Sequence, residues 1–72
     1  MKALLEFTLP EDEDAYRMAI QAPEAFCVIR EMSEWLRGKV KYEEMPEEVR
    51  AAVDEARGQL FALLQDHGVT LD

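Results

Sequence analysis

The sequence predicts a mainly α-helical fold with one short N-terminal strand, on three observations. Apolar residues recur every three or four positions through most of the chain, which is the spacing of an amphipathic helix. Prolines at positions 10, 23 and 46 each suit the first turn of a helix. Only residues 3–9 alternate with a period of two. We therefore predict one domain over residues 1–72, with a strand at about 3–9 and helices at about 11–21, 23–42 and 46–67.

The strand prediction depends on Leu5, Phe7 and Leu9, which alternate with the residues between them before Pro10 ends the run. A single strand needs a neighbour for its backbone hydrogen bonds. Either residues 69–71 or a second copy of the chain would have to supply it.

The first predicted helix opens at Pro10, with four acidic residues at positions 11–14. Carboxylates in a first turn complement the positive end of the helix dipole. Thr8 and Glu11 have the spacing of a capping box, which is an alternative start. Pro23 is expected to interrupt this helix and to begin the next.

The last two predicted helices each carry one apolar stripe and are expected to form an antiparallel hairpin. The stripe of the 23–42 helix includes Val28, Met32 and Trp35, although Gly38 weakens its end. The 46–67 helix is followed by Gly68, a strong signal for a helix C-cap.

Size and charge limit the classes of function. A chain of 72 residues is near the lower limit for a self-sufficient core, and one cysteine excludes an internal disulfide, so we expect a homo-oligomer. The formal charge of −8 argues against binding long nucleic acids. No run of apolar residues is long enough for a membrane span, and the N-terminus does not resemble a signal peptide, so a cytoplasmic protein is expected.

No residue pattern indicates catalysis, a metal site or a cofactor. Cys27 and His67 are the only thiol and imidazole and lie 40 positions apart, so we expect a buried structural thiol and a helix-capping histidine. The acidic pairs fall at helix starts and in a turn, where they need no catalytic explanation. We predict that the protein is not an enzyme.

The candidate binding site is a basic island at residues 35–42. Three of the eight basic residues fall at positions 37–41, with an aromatic residue at each end of the island. Aromatic rings stack on nucleobases, and cationic groups pair with phosphate. The predicted ligand-binding residues are Trp35, Arg37, Lys39, Lys41 and Tyr42, together with Arg30.

Helical geometry complicates this site. On a continuous helix, Trp35, Lys39 and Tyr42 share one side, whereas Arg30, Arg37 and Lys41 lie nearly opposite. A pocket would need a second chain or a helix that ends at Gly38. The simpler interpretation is an amphipathic helix with Trp35 in the core and solvated basic residues.

Three short motifs stand out along the chain. They are a start at Phe7-Thr8-Leu9-Pro10-Glu11, a central Trp35-Leu36-Arg37 with Lys41-Tyr42, and an end at Leu63-Leu64 with His67-Gly68-Val69-Thr70-Leu71-Asp72. In these motifs the chain resembles a group of small proteins encoded by tailed bacteriophages. Gly38 is atypical of the group. The resemblance implies a phage source and the cytoplasm of an infected bacterial host more than it implies an activity.

A small phage protein without catalysis is expected to act on host machinery, in one of two ways. It would sequester a nucleotide immune signal, such as a cyclic nucleotide or an ADP-ribose derivative, as a sponge. Alternatively, it would present an acidic face to a basic groove, as an anti-CRISPR or polymerase inhibitor. In the alternative, Glu43, Glu44, Glu47 and Glu48 would matter and Arg37 would not. We favour the sponge, because the basic island is the feature that composition explains worst. A plain structural or accessory phage protein is a third alternative.

Overall fold

A computed structural model describes residues 1–71 and contains two α-helices; Asp72, the last residue of the predicted domain, lies outside the described residues. Helix α1 spans Glu13–Tyr42 and α2 spans Glu47–Asp66. Hydrogen bonds join Arg50 of α2 to the carbonyl of Glu43 and Arg30 of α1 to the carbonyl of Leu71. The helices are therefore antiparallel, and the predicted mainly helical class is confirmed.

The predicted strand at residues 3–9 is wrong, since residues 1–8 have no regular secondary structure. A strand requires a neighbouring segment to pair its backbone groups, and no segment within residues 1–71 forms one. Phe7 instead packs edge-on against Tyr16, with ring centroids 5.7 Å apart. Leu4 and Leu5 are exposed.

The predicted break at Pro23 is also wrong, because α1 continues through it. A proline inside a helix removes one backbone hydrogen bond and costs about 3 kcal/mol. Strong helix formers flank it here, among them Ala22 and Ala25, and 30 residues share the cost. The predicted helices 11–21 and 23–42 are therefore one helix, and Gly38 does not end it.

Helix α1 begins two residues later than predicted, after a turn at residues 9–12. The backbone N–H of Thr8 donates to the Asp12 side chain (3.0 Å), and the Asp12 N–H donates to the Thr8 carbonyl (2.8 Å). Asp12, rather than Glu11, is therefore the carboxylate that holds this turn. Glu13 and Asp14 occupy the first turn of the helix, where they complement its dipole.

The contact between the helices is narrow. Half-buried apolar residues lie on one side of each helix, among them Ile29, Leu36 and Val40 on α1, and Val53, Leu60 and Leu64 on α2. Within residues 1–71 only Ser33 is buried, at 8% exposure. Cys27 and Trp35, which were expected inside a core, are exposed. In the described part of the chain, neither helix is long and apolar enough to cross a membrane.

Helix α2 ends in a Schellman motif at the position that the sequence predicts. Gly68 has a φ of +68°. Its N–H donates to the Gln65 carbonyl (3.1 Å), and the N–H of Val69 donates to the Leu64 carbonyl (2.8 Å). These bonds satisfy two of the last carbonyls of α2 and direct the chain back toward α1.

We expect Gly68→Ala to lower the free energy of unfolding by about 1–2 kcal/mol, because a Cβ atom is disfavoured in the left-handed region. Gly58→Ala is the matched control. Gly58 lies within α2, and a Cβ there meets no atom within 4 Å. This control should stabilise the protein by about 0.5–1 kcal/mol. Urea denaturation of both variants measures the difference, and equal effects would contradict the capping role.

Candidate anion-binding cleft

One side of the hairpin carries a cleft of about 470 Å³ between α1, α2 and the segment after α2. Positions 33 and 34 lie three and four residues after position 30, and positions 37 and 41 continue at steps of three or four, so the side chains emerge on one side of α1. Positions 57 and 61 are related in the same way on α2. The cleft is lined by Arg30, Ser33, Glu34, Arg37, Lys41, Arg57, Phe61 and Leu71.

The charge of the cleft is opposite to that of the whole chain. Four cationic side chains face one carboxylate, so the lining has a formal charge of +3 (four minus one) in a protein of charge −8. The carboxylate of Glu34 lies 4.0 Å from a terminal guanidinium nitrogen of Arg37, and both side chains are largely exposed. Such a pair contributes little, about 0–1 kcal/mol, and leaves Arg37 able to bind another anion.

Two of the arginines are held in place by the fold. Arg30 donates to the Leu71 carbonyl through Nε (3.2 Å) and a terminal nitrogen (2.5 Å), which ties the segment after α2 to α1. The guanidinium of Arg57 lies 5.0 Å from the centroid of the Phe61 ring. Its Nε is buried and has no acceptor within residues 1–71. A buried N–H without an acceptor is costly. An incoming anion would meet the part of the Arg57 side chain that lines the cleft.

A second, more apolar hollow of about 340 Å³ adjoins the cleft. It shares Phe61 and Leu71 with the cleft and is lined further by Leu64, Gln65, Val69 and Thr70. The Schellman motif creates this hollow by turning the chain back along α2. A ligand with a charged part and a flat apolar part would place them in the two adjacent volumes.

The structure divides the predicted site residues into two groups. Arg30, Arg37 and Lys41 line the cleft together. The other three lie elsewhere: the Lys39 ammonium is 5.0 Å from the Trp35 ring centroid and 2.8 Å from a Glu43 carboxylate oxygen, and Tyr42 is 81% exposed. The division follows from the continuity of α1, since each residue advances about 100° around the axis.

Sequence reasoning did not identify Arg57, Phe61 or Ser33 as site residues. The only local signal was an arginine four residues before an aromatic residue on one helix, a spacing that is common on solvated surfaces. Their role depends on α2 facing the basic side of α1. With α2 in place, a second chain is not needed to complete the cleft, and the helix need not end at Gly38.

The cleft is suited to binding a small anion. Guanidinium groups match the geometry of phosphate oxygens and can donate two parallel hydrogen bonds, whereas an ammonium acts as a point charge. A volume of about 470 Å³ falls within the usual range for small-ligand sites, roughly 300–1,000 Å³. No protein family, curated protein or solved structure shows significant similarity to the chain.

Proposed function

We propose that this protein binds a small phosphate-bearing nucleotide in the cleft and sequesters it without catalysis. The observation that carries the proposal is the convergence of Arg30, Arg37, Lys41 and Arg57 on one cleft of an acidic protein. Solvated cations scattered over the surface would offset the negative charge of the chain equally well. Their concentration at a concave site costs mutual repulsion, which a bound anion relieves.

In this proposal, each group of side chains in the cleft binds a different part of the ligand. The phosphates lie between Arg37 and Lys41 of α1 and Arg57 of α2. The base lies in the adjoining hollow against Phe61, since aromatic rings stack on every nucleobase. Part of the Arg30 guanidinium is already engaged within the fold, because it donates to the Leu71 carbonyl.

Charge outside the cleft restricts the size of the ligand. The chain has 16 acidic residues against 8 basic ones, and four of the basic side chains lie in the cleft, so a long nucleic acid would meet repulsion beyond it. A cyclic nucleotide or an ADP-ribose derivative carries few phosphates and would avoid that repulsion. Together with the resemblance to phage proteins, this supports a sponge for nucleotide immune signals in the cytoplasm of an infected bacterium.

A second candidate is an acidic inhibitor that occupies a basic groove of a host protein. The segment between the helices and the first turn of α2 favour it, because four exposed acidic residues lie there: Glu43, Glu44, Glu47 and Glu48. Glu43 is partly neutralised by Lys39 at 2.8 Å. The cleft gives the nucleotide proposal a shaped site, which these acidic residues lack.

Thermal melting against a panel of cyclic oligonucleotides and ADP-ribose derivatives tests the proposal. A ligand at about 100 times its Kd adds roughly 2.7 kcal/mol to the free energy of unfolding. For a domain of this size we expect a rise in Tm of about 10–20 °C with one class of ligand. Arg37→Glu should abolish the rise.

The matched control is Arg17→Glu, which makes the same charge change on α1 at an exposed arginine outside the cleft. It should keep the rise in full. If protein freed of co-purified nucleotide shows no rise with any member of the panel, the nucleotide proposal fails. A host protein whose capture is lost in Glu44→Lys and kept in Arg37→Glu would then support the acidic inhibitor.

A further inference from the structure

Helix α1 carries a second apolar stripe that the hairpin leaves exposed. From position 18 to position 42 its members alternate at three- and four-residue spacing, which is the heptad repeat of a coiled-coil seam. Met18 is 71% exposed, Val28 63% and Trp35 57%. The repeat comprises Met18, Gln21, Ala25, Val28, Met32, Trp35, Lys39 and Tyr42.

Helix α2 carries a matching exposed stripe at positions 49, 52, 56 and 63, formed by Val49, Ala52, Ala56 and Leu63. Val49 and Leu63 are 47% and 46% exposed. At about 100° per residue, each stripe lies roughly a quarter turn from the side of its helix that faces the other helix. Because the helices are antiparallel, the two quarter turns lead to the same side of the hairpin. We call these two stripes together the apolar face.

The cleft lies on the opposite side from the apolar face. Seen along the axis of α1, the side chains of Arg30, Arg37 and Lys41 are rotated in one direction from the side that faces α2. Those of Val28 and Trp35 are rotated in the opposite direction. A molecule that covers the apolar face therefore leaves the cleft open.

The chain exposes more surface than a compact monomer of the same mass. The chain exposes 6444 Å², whereas a compact monomer of 8.3 kDa exposes about 4,600 Å². The excess, about 1,800 Å² per chain, includes exposed residues of the N-terminal segment such as Leu4 and Leu5, so the apolar face accounts for part of it. Two chains together exceed the compact value by about 3,600 Å², which is more than the roughly 1,200–2,000 Å² that a stable interface of standard size buries. The α1 stripe alone runs nearly the full length of a 30-residue helix.

We propose that a second copy of this chain packs on the apolar face, so that two hairpins form a four-helix dimer with the α1 helices antiparallel. The heptad repeat supports a helical occupant, and the excess area supports one of the same size. A two-fold dimer uses the same face on both chains, as a self-complementary stripe requires.

An antiparallel register centred near residue 30 pairs the members of the α1 stripe well. It places small Ala25 against the partner subunit's Trp35, Val28 against the partner subunit's Met32, and Gln21 against the partner subunit's Lys39. A parallel register would instead place two Trp35 rings together and two Lys39 ammonium groups together. Like charges that face each other across a seam disfavour the parallel dimer.

The mass in solution and the emission of Trp35, the single tryptophan, test the dimer. We expect a mass of about 16.6 kDa (twice 8.3 kDa) and a tryptophan emission that moves to longer wavelength as dilution dissociates the dimer. Val28→Glu should give a monomer. Ile20→Glu is the matched control, because Ile20 is similarly exposed, at 58%, but lies off the stripe; it should remain a dimer.

Disulfide trapping tests the register in a Cys27→Ser background. A mixture of Gln21→Cys and Lys39→Cys proteins should cross-link, whereas each alone should not. Cross-linking of each variant alone, with no disulfide between the two different variants in the mixture, would overturn the antiparallel arrangement. A wild-type mass of 8.3 kDa with emission independent of concentration would overturn the dimer itself. Neither result depends on a nucleotide, so failure here is distinct from failure of the proposed function.

Discussion

Replacing Arg50 by alanine should lower the Tm by about 10–20 °C. The Arg50 side chain is half-buried. One of its terminal nitrogens donates to the Val40 carbonyl, and the other donates to the Glu43 carbonyl at 3.0 Å. The last carbonyls of a helix have no partner within the helix, so α2 supplies the cap of α1 through this one side chain. Two hydrogen bonds from a charged donor are together worth about 2–3 kcal/mol when partly exposed, and each kcal/mol shifts Tm by about 4–8 °C.

Arg17→Ala is the control for Arg50→Ala, because it removes the same charge from an exposed position. Arg17 lies 3.9 Å from a Glu13 oxygen and 3.7 Å from an Asp14 oxygen, and its side chain is 57% exposed. Such pairs contribute about 0–1 kcal/mol. Both variants should be melted at one protein concentration, since association changes Tm. Equal shifts in the two variants would show that Arg50 acts only through its charge.

Replacing Arg57 by methionine should raise the Tm of the ligand-free protein and abolish its rise with nucleotide. The buried Nε of Arg57 has no acceptor within residues 1–71, a penalty of about 1–3 kcal/mol. Loss of the contact with the Phe61 ring offsets about 0.5–1 kcal/mol of the gain. The net gain of about 1 kcal/mol corresponds to about 4–8 °C.

The opposite signs of the two effects make the Arg57 prediction specific. A purely structural arginine would lose stability on replacement, with or without ligand. Melting of Arg57→Met with and without the nucleotide that stabilises the wild type measures both effects, and Arg17→Met controls for the change in charge. A lower ligand-free Tm, or a retained rise with nucleotide, would remove Arg57 from the proposed site.

The features predicted well from the sequence are those that depend on local backbone chemistry. The second predicted helix ends at Tyr42 as expected, and α2 differs from its predicted range by one residue at each end. Gly68 ends α2 because only a residue that tolerates positive φ closes a Schellman motif readily. Each of these features depends on five or six neighbouring residues, so it can be predicted from the sequence.

Two of the wrong predictions, the strand and the break at Pro23, concern features that depend on more of the chain than a few neighbouring residues. Alternation at residues 3–9 indicates a strand only if another segment pairs with it, and here Phe7 packs on Tyr16 instead. Pro23 breaks a helix only if the rest of the helix cannot offset one missing hydrogen bond. In both cases a local preference of a few kcal/mol was outweighed by its surroundings.

The sequence by itself determined the charges, the helical periods and the cap of α2, and through them three of the cleft residues: Arg30, Arg37 and Lys41. Only the tertiary structure decided that these three face Arg57 and Phe61, and that Trp35, Lys39 and Tyr42 lie on another side of α1. The physical reason is the range of the interactions. Helical period and capping act over neighbouring residues, whereas a cleft is formed by side chains that meet only after two distant helices have packed.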